Sequence, residues 1–401
     1  MTITSDFIEF SDITSVLGNR DIILFGAGEI ANKTLMKLDK KPICIVDNNP
    51  NMLGTIENNL KVENPEIISN IKNKVLVIIC TTSFSEVSEQ LEKMGLEKNI
   101  NFFTSPIIND LLVITRLSNL EKTLLFSSGS PTTSNKKTGG GIYQLTIKGK
   151  ETNIKKVING TTHGIIKVDD YYIANNHLKG LIKFDSNFNI INSINLPKGS
   201  RPHGLCYSRL NNKYYVAASY RDSIFEISDN FEIEDEIFIS KKFSHQGSPV
   251  HHCNDICERE GSLFISMFSK SGNWKNDVFD GCIMEFDIKD KDRNGTVVED
   301  LWMPHNVCFI DGGLVVLDSL RGYLLKNNMR RSGHFHGFTR GLLYDGSLYY
   351  IGQSRNRNFS KYLGDSLNIS IDTSIIIFDD KTKVSRTVHI DPEISEIHAI
   401  V

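Results

Sequence analysis

Hydrophobic and polar positions follow two different patterns along the chain, and the change comes near residue 120. Before it, short apolar runs predict strands at Ile22–Phe25, Ile43–Val46, Val75–Cys80 and Ile100–Phe103. Helical periodicity covers residues 29–39 and 84–95 between these runs. Continuously apolar strands separated by helices are typical of a parallel sheet with helices on its faces. The pattern therefore predicts an α/β domain over residues 1–115.

From Leu124 onward the helical period disappears, and short alternating strands follow with Gly, Asn, Asp and Ser turns between them. One local pattern recurs at intervals of 35–58 residues, a histidine or arginine just before a short apolar strand. Its copies are Thr162-His163-Gly164, Pro202-His203-Gly204, His251-His252-Cys253, Pro304-His305-Asn306, Thr339-Arg340-Gly341 and Ile397-His398-Ala399. Units of roughly 40–50 residues with four strands each are typical of a β-propeller.

The two ends of this second region are complementary. Residues 124–158 supply three strands with no inner strand before them, whereas Glu396–Val401 supplies an inner strand and nothing after it. Pairing the last strand with residues 124–126 completes a sixth blade and removes the free sheet edges. The sequence thus predicts an α/β plus all-β chain, in which a half-Rossmann parallel sheet precedes a six-bladed propeller over residues 120–401.

Composition restricts the partners and the compartment. With 40% hydrophobic residues, 23% charged residues and a net charge of −3, a nucleic-acid binder is not expected. The N-terminus lacks a signal-peptide pattern, and no apolar run is long enough to span a membrane. Seven cysteines without framework spacing are typical of reduced thiols. We therefore expect a cytoplasmic protein without nucleic-acid or membrane partners, and the oligomeric state stays open.

The first predicted strand runs into a glycine-rich turn that opens a helix. Gly26, Gly28 and Ala31 form a G-x-G-x-x-A pattern, and Asp47 ends the second strand about twenty residues later. Such a turn brings backbone N–H groups to a phosphate, and such an acid binds a ribose hydroxyl. Because only four strands fit before residue 110, only one mononucleotide half is expected. The prediction is a nucleotide or nucleotide-sugar site, and the alternative is a packing unit without a ligand.

The same stretch carries a family resemblance over about residues 20–105. Its motifs Phe25–Ala31, Ile45–Pro50, Leu53–Thr55 and Val62–Glu66 resemble the small nucleotide-binding domains of bacterial surface-sugar enzymes. Those are the N-terminal domains of sugar acyltransferases and the C-terminal domains of sugar methyltransferases. In the acyltransferases the site holds a nucleotide sugar, so the resemblance implies such a ligand. The acyltransferase histidine is replaced here by Glu29-Ile30, so no acyl-transfer role is carried over.

The recurring histidines predict a ring of chemically active groups around the propeller channel. Histidine titrates near neutrality and is the commonest metal ligand, although a single one is more often a satisfied core residue. A divalent metal is expected on His163, His203, His252, His305 and His398. We expect catalytic roles for His203, His252, His305 and Arg340, with the three histidines jointly required.

A second ring is predicted outside the first. In a propeller, the turns between the second and third strands share a face with the entrances of the inner strands. These turns carry Lys179, Arg221, Lys270, Arg321 and Arg355, with Lys136 and Lys137 in the closing blade. The predicted funnel would concentrate an anion and bind it by charge-assisted hydrogen bonds, unless these side chains are merely solvated.

The propeller region also carries a resemblance. The stretches His163–Ile165, Asn176-His177, Leu181–Phe184 and Asn254–Ile256 resemble the paraoxonase, gluconolactonase and streptogramin-lyase group of propellers. In the calcium lactonases of that group, asparagines and acids at the inner-strand entrances hold the metal. Asn254 and Asn306 match that pattern and Asp255 accompanies it, whereas the other four positions hold histidine or arginine.

These observations predict a cytosolic enzyme of sugar or surface-glycan metabolism. Its substrate would be an anionic sugar or nucleotide sugar, and a metal could acidify an α-proton or a water. Lyase, epimerase and hydrolase reactions all fit that arrangement. The alternative is a non-catalytic binding or scaffold protein that recognises an anionic sugar or a partner. NAD-dependent oxidoreduction is a third reading, for which the half-sized Rossmann unit would need completion.

Overall fold

The computed structural model describes residues 8–131, 138–239, 249–355, 357 and 368–401. Its contacts divide the chain into two compact units, with the division between Asn119 and Leu120. Lys136 and Lys137, predicted to belong to the basic ring, lie outside the described residues.

The N-terminal unit is a six-stranded sheet with helices. Its strands are β1 (Asp21–Phe25), β2 (Cys44–Val46), β3 (Ile56–Glu57), β4 (Leu60–Glu63), β5 (Val75–Ile79) and β6 (Phe102–Thr104). Its helices are α1 (Phe10–Leu17), α2 (Glu29–Leu35), α3 (Ile67–Ile71), α4 (Phe84–Lys93) and α5 (Asn109–Ser118). The strand order is β3-β4-β2-β1-β5-β6. All neighbouring strands pair in parallel except β3 and β4, which pair antiparallel.

This sheet is mixed, so the purely parallel sheet predicted from the sequence is wrong at one edge. The β3–β4 hairpin turns at Asn58 and Asn59, both in the left-handed conformation that asparagine tolerates. β3 has only two residues, and β4 alternates buried and more exposed positions, so neither strand gives the continuous apolar run that marked the others. The central strands β1 and β5 are buried along most or all of their lengths, which explains their continuously apolar sequences.

The second unit consists of six antiparallel four-stranded sheets. Blade 6 contains β7 (Glu121–Ser128), β8 (Gly141–Lys148), β9 (Glu151–Asn159) and, from the C-terminus, β30 (Ala399–Ile400). Blade 1 contains β10 (Thr162–Val168), β11 (Tyr171–Asn176), β12 (Gly180–Phe184) and β13 (Ile190–Ile194). Blade 2 contains β14 (Pro202–Ser208), β15 (Lys213–Ala218), β16 (Ser223–Ser228) and β17 (Ile233–Phe238).

The other three blades repeat the same order of strands from inner to outer. Blade 3 contains β18 (Cys253–Arg259), β19 (Ser262–Met267), β20 (Gly281–Asp287) and β21 (Asp292–Leu301). Blade 4 contains β22 (His305–Ile310), β23 (Gly313–Asp318), β24 (Tyr323–Lys326) and β25 (Arg330–His334). Blade 5 contains β26 (Phe338–Tyr344), β27 (Tyr349–Ser354), β28 (Ser374–Asp379) and β29 (Val384–His389).

Both ends of the propeller sequence meet in blade 6. Ala399 pairs with Ser127 and Ile400 pairs with Phe126, so β30 lies beside β7. Val401 adds two backbone hydrogen bonds to Leu125, of 2.8 and 2.9 Å. The predictions of six blades and of closure by the two ends are therefore confirmed.

Apolar side chains fill the space between neighbouring blades. The second and third strands of a blade are almost wholly buried, as in β15 and β16, whereas an outermost strand such as β13 is largely exposed. β-Branched and aromatic residues suit these strands because they pack well on a pleated surface. Among the described residues, the longest helices, α4 and α5, have ten residues each, fewer than a bilayer span requires.

Candidate functional site

Each inner strand of blades 1 to 5 contains a β-bulge, an extra residue relative to its partner strand, near its entrance. The register shifts between Thr162 and Ile165, and at the matching points of β14, β18, β22 and β26. Each inner strand has one residue that lies two positions before regular pairing resumes. In blades 1 to 5 these residues are, in order, His163, His203, Asn254, Asn306 and Arg340. In blade 6, His398 takes the corresponding place, two residues before Ile400. We call these six residues the ring positions.

The predicted equivalence of His252 and His305 with the other histidines is therefore wrong in register. His252 lies two residues before the ring position of blade 3, and His305 lies one residue before that of blade 4. The bulge lies at the same point of all five inner strands, so the pairing register sets the ring position, and in blades 3 and 4 that position holds Asn254 and Asn306. Both histidines are nevertheless buried on the same face as the others.

Four imidazoles form one contiguous group, which we call the imidazole cluster: His163, His203, His252 and His398. The rings of His163 and His203 stack with centroids 4.2 Å apart and planes 9° apart. The ring of His398 meets them edge-on at 4.4 and 5.6 Å, and His252 lies 5.5 Å from His203. The sequence prediction that the histidines converge is confirmed for these four residues.

His305 is separated from the cluster by an aromatic side chain. The ring of Phe268 lies 4.3 Å from His252 and 5.3 Å from His305. On its other side His305 packs against Phe338 at 5.4 Å. His305 therefore belongs to the site but cannot share one compact group with His203 and His252.

The Nδ1 atoms of three histidines of the site contact protein acceptors. Nδ1 of His163 lies 3.1 Å from the carbonyl of Pro202, and Nδ1 of His305 lies 2.9 Å from that of Met303. Nδ1 of His203 contacts Oδ1 of Asn254. A carbonyl can only accept, so each Nδ1 carries the proton and donates it. In the neutral ring Nε2 is then an acceptor or a metal ligand.

Several buried polar atoms of the site have no hydrogen-bond partner among the described residues. They are Nε2 of His203, Nε2 of His305, Nδ1 of His252, Nε of Arg340 and Nδ2 of Asn254. Leaving one such atom unsatisfied costs about 1–3 kcal/mol. These five atoms belong to the ring positions or their neighbours, so a polar group placed at this end of the channel would satisfy them.

Arg340 forms the charged part of the site. Its Nη1 lies 3.3 Å from Oε2 of Glu396 and 3.1 Å from Nε2 of His398. Nε2 of His398 is also 3.0 Å from that carboxylate, and Arg357 lies 2.7 Å from its other oxygen. Glu396 was not singled out from the sequence, although it lies two residues before a ring position and so on the same side of the strand.

Burial keeps the imidazoles neutral at pH 7. It is the main cause that lowers the pKa of His252 to about 3 and that of His398 to about 4. The pKa values of His163, His203 and His305 are also well below the ordinary value, again mainly because of burial. Burial acts in the opposite direction on Glu396, but the hydrogen bond from His398 and the charge of Arg340 hold its pKa below the usual range.

Polar side chains at and next to the ring positions link neighbouring inner strands. Oδ2 of Asp255 accepts a 2.8 Å hydrogen bond from the backbone of Asn306, and Oδ1 of Asn306 accepts one of 2.6 Å from Gly341. Gly204 is needed here because a Cβ atom would lie 2.6 Å from Cα of Asp255. Burial raises the pKa of Asp255 to about 6.

Further along the inner strands, past these polar contacts, the channel opens into a cavity of about 450 Å³. Its walls are the inner strands, with mainly apolar side chains such as Ile165, Leu205, Ile256, Leu342 and Ile400. The channel therefore has one polar end, which holds the histidines, and one apolar end.

The predicted outer basic ring is largely neutralised within its own blades. Arg221 forms a bidentate ion pair with Glu236, at 2.6 and 2.9 Å. Arg321 pairs with Asp318, and Lys270 pairs with Glu299. These three residues are thus held by carboxylates rather than presented to an anion. Arg355 donates to the carbonyl of Pro392 at 3.1 Å, and Lys179 is exposed at its turn.

The residues expected to hold a metal fit it in chemistry but not in arrangement. Neutral imidazoles with anchored Nδ1 atoms are typical metal ligands. In the described part of the chain, however, no group of three or more His, Cys, Asp or Glu side chains is arranged to hold a metal ion. Nε2 of His398 is also occupied by Arg340 and Glu396. The divalent metal therefore stays a prediction.

The glycine turn of the N-terminal unit is held by its own residues. Asp47 accepts hydrogen bonds from the backbones of Ala27 and Asn49, both of 2.8 Å, instead of presenting free oxygens. Gly26 has φ +109°, and a Cβ atom there would lie 2.8 Å from the carbonyl oxygen of Cys80. Ala31 is wholly buried, whereas Gly28 faces open space. Packing accounts for Gly26 and Ala31, and nucleotide binding stays a prediction that calorimetric titration tests.

Comparison with known proteins gives a family for part of the chain. Residues 18–100 match the family described as C2185-like, N-terminal. The resemblance to surface-sugar acyltransferases and methyltransferases gains no support from this match. No curated protein matches the chain.

Solved structures share the fold. A chain of the nidogen/laminin complex matches over 70% of this chain and 97% of its own length, with 13% identity and a TM-score of 0.51. An auxiliary nutrient binding protein from Bacteroides thetaiotaomicron matches over 58% and 74%, with 12% identity and a TM-score of 0.39. The calcium-binding protein regucalcin from Agrobacterium tumefaciens matches over 57% and 72%, with 14% identity and a TM-score of 0.39. At such identities only the propeller fold is shown.

Proposed function

We propose that the polar end of the propeller channel binds a small, hydroxyl-rich anionic molecule of the sugar-acid class. The observation that carries the proposal is the group of buried ring nitrogens and the guanidinium Nε that have no partner among the described residues. A ligand that satisfied them would recover the cost of their burial. A sugar acid belongs to the class of anionic sugars that the sequence predicted. Its binding here does not require the basic residues of the outer ring to be free of their carboxylate partners.

The donor and acceptor pattern of the site selects the ligand chemistry. Because the Nδ1 atoms of His203 and His305 contact protein acceptors, their Nε2 atoms are acceptors and require donors on the ligand. Hydroxyl groups supply such donors. Nε of Arg340 and Nδ2 of Asn254 are donors and require acceptors, which a carboxylate supplies. A hydroxylated carboxylate provides both.

His398, Glu396 and Arg340 would supply the chemistry if the bound molecule is transformed. With the Nε2 proton of His398 donated to Glu396, Nδ1 of His398 would be the atom that accepts a proton from a carbon next to a carboxylate or carbonyl, and Glu396 would stabilise the imidazolium that forms. Arg340 would stabilise the negative charge that develops on the ligand. Proton abstraction of this kind belongs to lyases and epimerases, two of the reaction classes that the sequence left open.

Binding without turnover is the second candidate, and one observation favours it. Nη1 of Arg340 is already engaged by Glu396 and His398, so the site's buried charge is compensated before any ligand enters. A site that binds its ligand without transforming it requires only such a compensated charge. Proton NMR of a sugar acid incubated with the protein separates the two candidates, because only an enzyme exchanges the α-proton or forms a product. Metal analysis of the purified protein tests the predicted divalent ion at the same time.

We expect isothermal titration calorimetry with a panel of sugar acids to detect binding that His203→Ala weakens at least tenfold, about 1.4 kcal/mol. His252→Ala should act non-additively with it, because the two rings are in contact. His305→Ala should add to either loss, since Phe268 separates it from the cluster. The exposed His389 provides the matched control, and His389→Ala should leave binding unchanged. Unaltered affinity in His203→Ala would contradict the proposal.

A further inference from the structure

A second pocket opens on the same face as the imidazole cluster, next to His163. It has a volume of about 220 Å³ and is bounded by the turn Asn176–Gly180 of blade 1 and by residues 195–202, which lead into blade 2. We call it the Arg201 pocket. Its inner wall is His177, whose Nε2 lies 3.1 Å from Nδ1 of His163. The pocket therefore adjoins the cluster through the contact of His177 with His163.

The polar lining of this pocket is cationic. Lys198, Arg201 and His177 line it, and its wall contains no aspartate or glutamate. Among the residues that the structure describes, no carboxylate lies in ion-pair distance of Arg201 or Lys198. The pocket differs in this respect from the outer turns, where Arg221, Arg321 and Lys270 are paired with acids.

Arg201 is held in place and acts on the cluster. Its guanidinium donates to the hydroxyl of Tyr220 and lies 4.6 Å from the centre of that ring. After burial, its charge is the next cause that lowers the pKa of His177 and of His252. An uncompensated positive charge therefore lies within electrostatic reach of both pocket and cluster.

We propose that the Arg201 pocket binds a phosphate group of the ligand, so that the ligand is a phosphorylated sugar acid. The inference rests on the proposed function, because it assigns the second anionic group of the same molecule. The pocket has two cations without an acidic partner, so it suits the two negative charges of a phosphate better than the single charge of a carboxylate. Arg201 offers the planar donor pair that suits phosphate oxygens, and Lys198 adds a point charge. Arg340, whose Nε is assigned to the ligand's carboxylate, is not an alternative site for the dianion, since Glu396 already neutralises its charge.

The test is isothermal titration calorimetry of the full chain with inorganic phosphate at low ionic strength. We expect Arg201→Gln to weaken phosphate binding at least tenfold and Lys198→Gln to weaken it severalfold. Arg209→Gln is the matched control on the same blade, because Arg209 is exposed and paired with Asp169. It should leave phosphate affinity within twofold of the wild type. Thermal melting of each variant checks that the fold is retained.

The outcomes separate this inference from the proposed function. Phosphate binding that Arg201→Gln abolishes and His203→Ala leaves intact supports the pocket, whatever happens with sugar acids. Absence of phosphate binding to the wild type, or equal binding by wild type and Arg201→Gln, overturns the pocket. Sugar-acid binding that depends on His203 would still stand in that case. Tighter binding of a phosphorylated than of an unphosphorylated sugar acid, lost in Arg201→Gln, is the further result expected.

Discussion

Deletion of Glu396–Val401 is expected to abolish the cooperative unfolding of the propeller. The deletion removes β30, the inner strand of blade 6, together with its backbone pairing to Ser127, Phe126 and Leu125. It exposes the edge of β7, which can then pair with other chains. It also leaves Arg340 buried without Glu396, and breaking a buried ion pair costs about 3–5 kcal/mol. Because a whole domain is stable by about 5–15 kcal/mol, the combined loss is decisive.

Circular dichroism melting and size-exclusion chromatography of the truncated chain test this expectation. A double variant, Glu396→Gln with His398→Gln, keeps the strand and removes only the charged contacts. It should melt lower than the wild type but still cooperatively and without aggregation. A truncated protein that stays monodisperse with the wild-type melting curve would rule out closure by the C-terminal strand.

The propeller is also expected to lose stability steeply as the pH falls from 7 to 4. The pKa values of His252 and His398 in the folded chain, about 3 and about 4, lie below the unfolded value near 6.5. The unfolded chain therefore takes up more protons below pH 6.5, and the stability from the neutral imidazoles is lost. His163, His203 and His305 act in the same direction. Glu396, with its lowered pKa, adds a loss below about pH 4.5.

Two buried carboxyls oppose this trend in part. The pKa values of Asp255 and Asp318 are raised to about 6, mainly by burial, so protonation between pH 6 and about 4 favours the folded chain. The five imidazoles with lowered pKa values outweigh the two carboxyls with raised pKa values. We therefore expect the free energy of unfolding to fall by a net several kcal/mol. Guanidinium unfolding in chelator at several pH values measures it. His305→Gln should flatten the profile and His389→Gln should not, whereas a flat wild-type profile would contradict neutral burial of the histidines.

The propeller could be predicted from the sequence because its signals are local and repeated. Alternating strands, turn residues and the recurring His-Gly pattern marked the blades, and the unmatched ends marked blade 6. The predicted pairing of the last strand with residues 124–126 agrees with the observed pairing of Ile400 with Phe126. In the N-terminal unit the apolar runs marked β1, β2, β5 and β6, whose residues are mostly apolar and almost all buried.

The site was predicted less well because its geometry depends on register and on distant partners. The strand register puts the ring position of blade 3 at Asn254, two residues after His252, and that of blade 4 at Asn306, one residue after His305. No sequence pattern shows that Arg221 meets Glu236 across two strands. Glu396 and Arg201 each lie two residues before a ring histidine, a shared spacing that the sequence shows and that could have marked them.

The most direct test of the central claim is ¹⁵N NMR of the histidine side chains, without and with a panel of sugar acids. The account predicts that His203 and His305 are neutral at pH 7, with the proton on Nδ1 and a bare Nε2 in each ring. Adding a sugar acid should shift the Nε2 resonances of these two residues and leave those of the exposed His389 in place. Imidazolium signals from His203 and His305 at pH 7, or Nε2 resonances that no sugar acid moves, would contradict it.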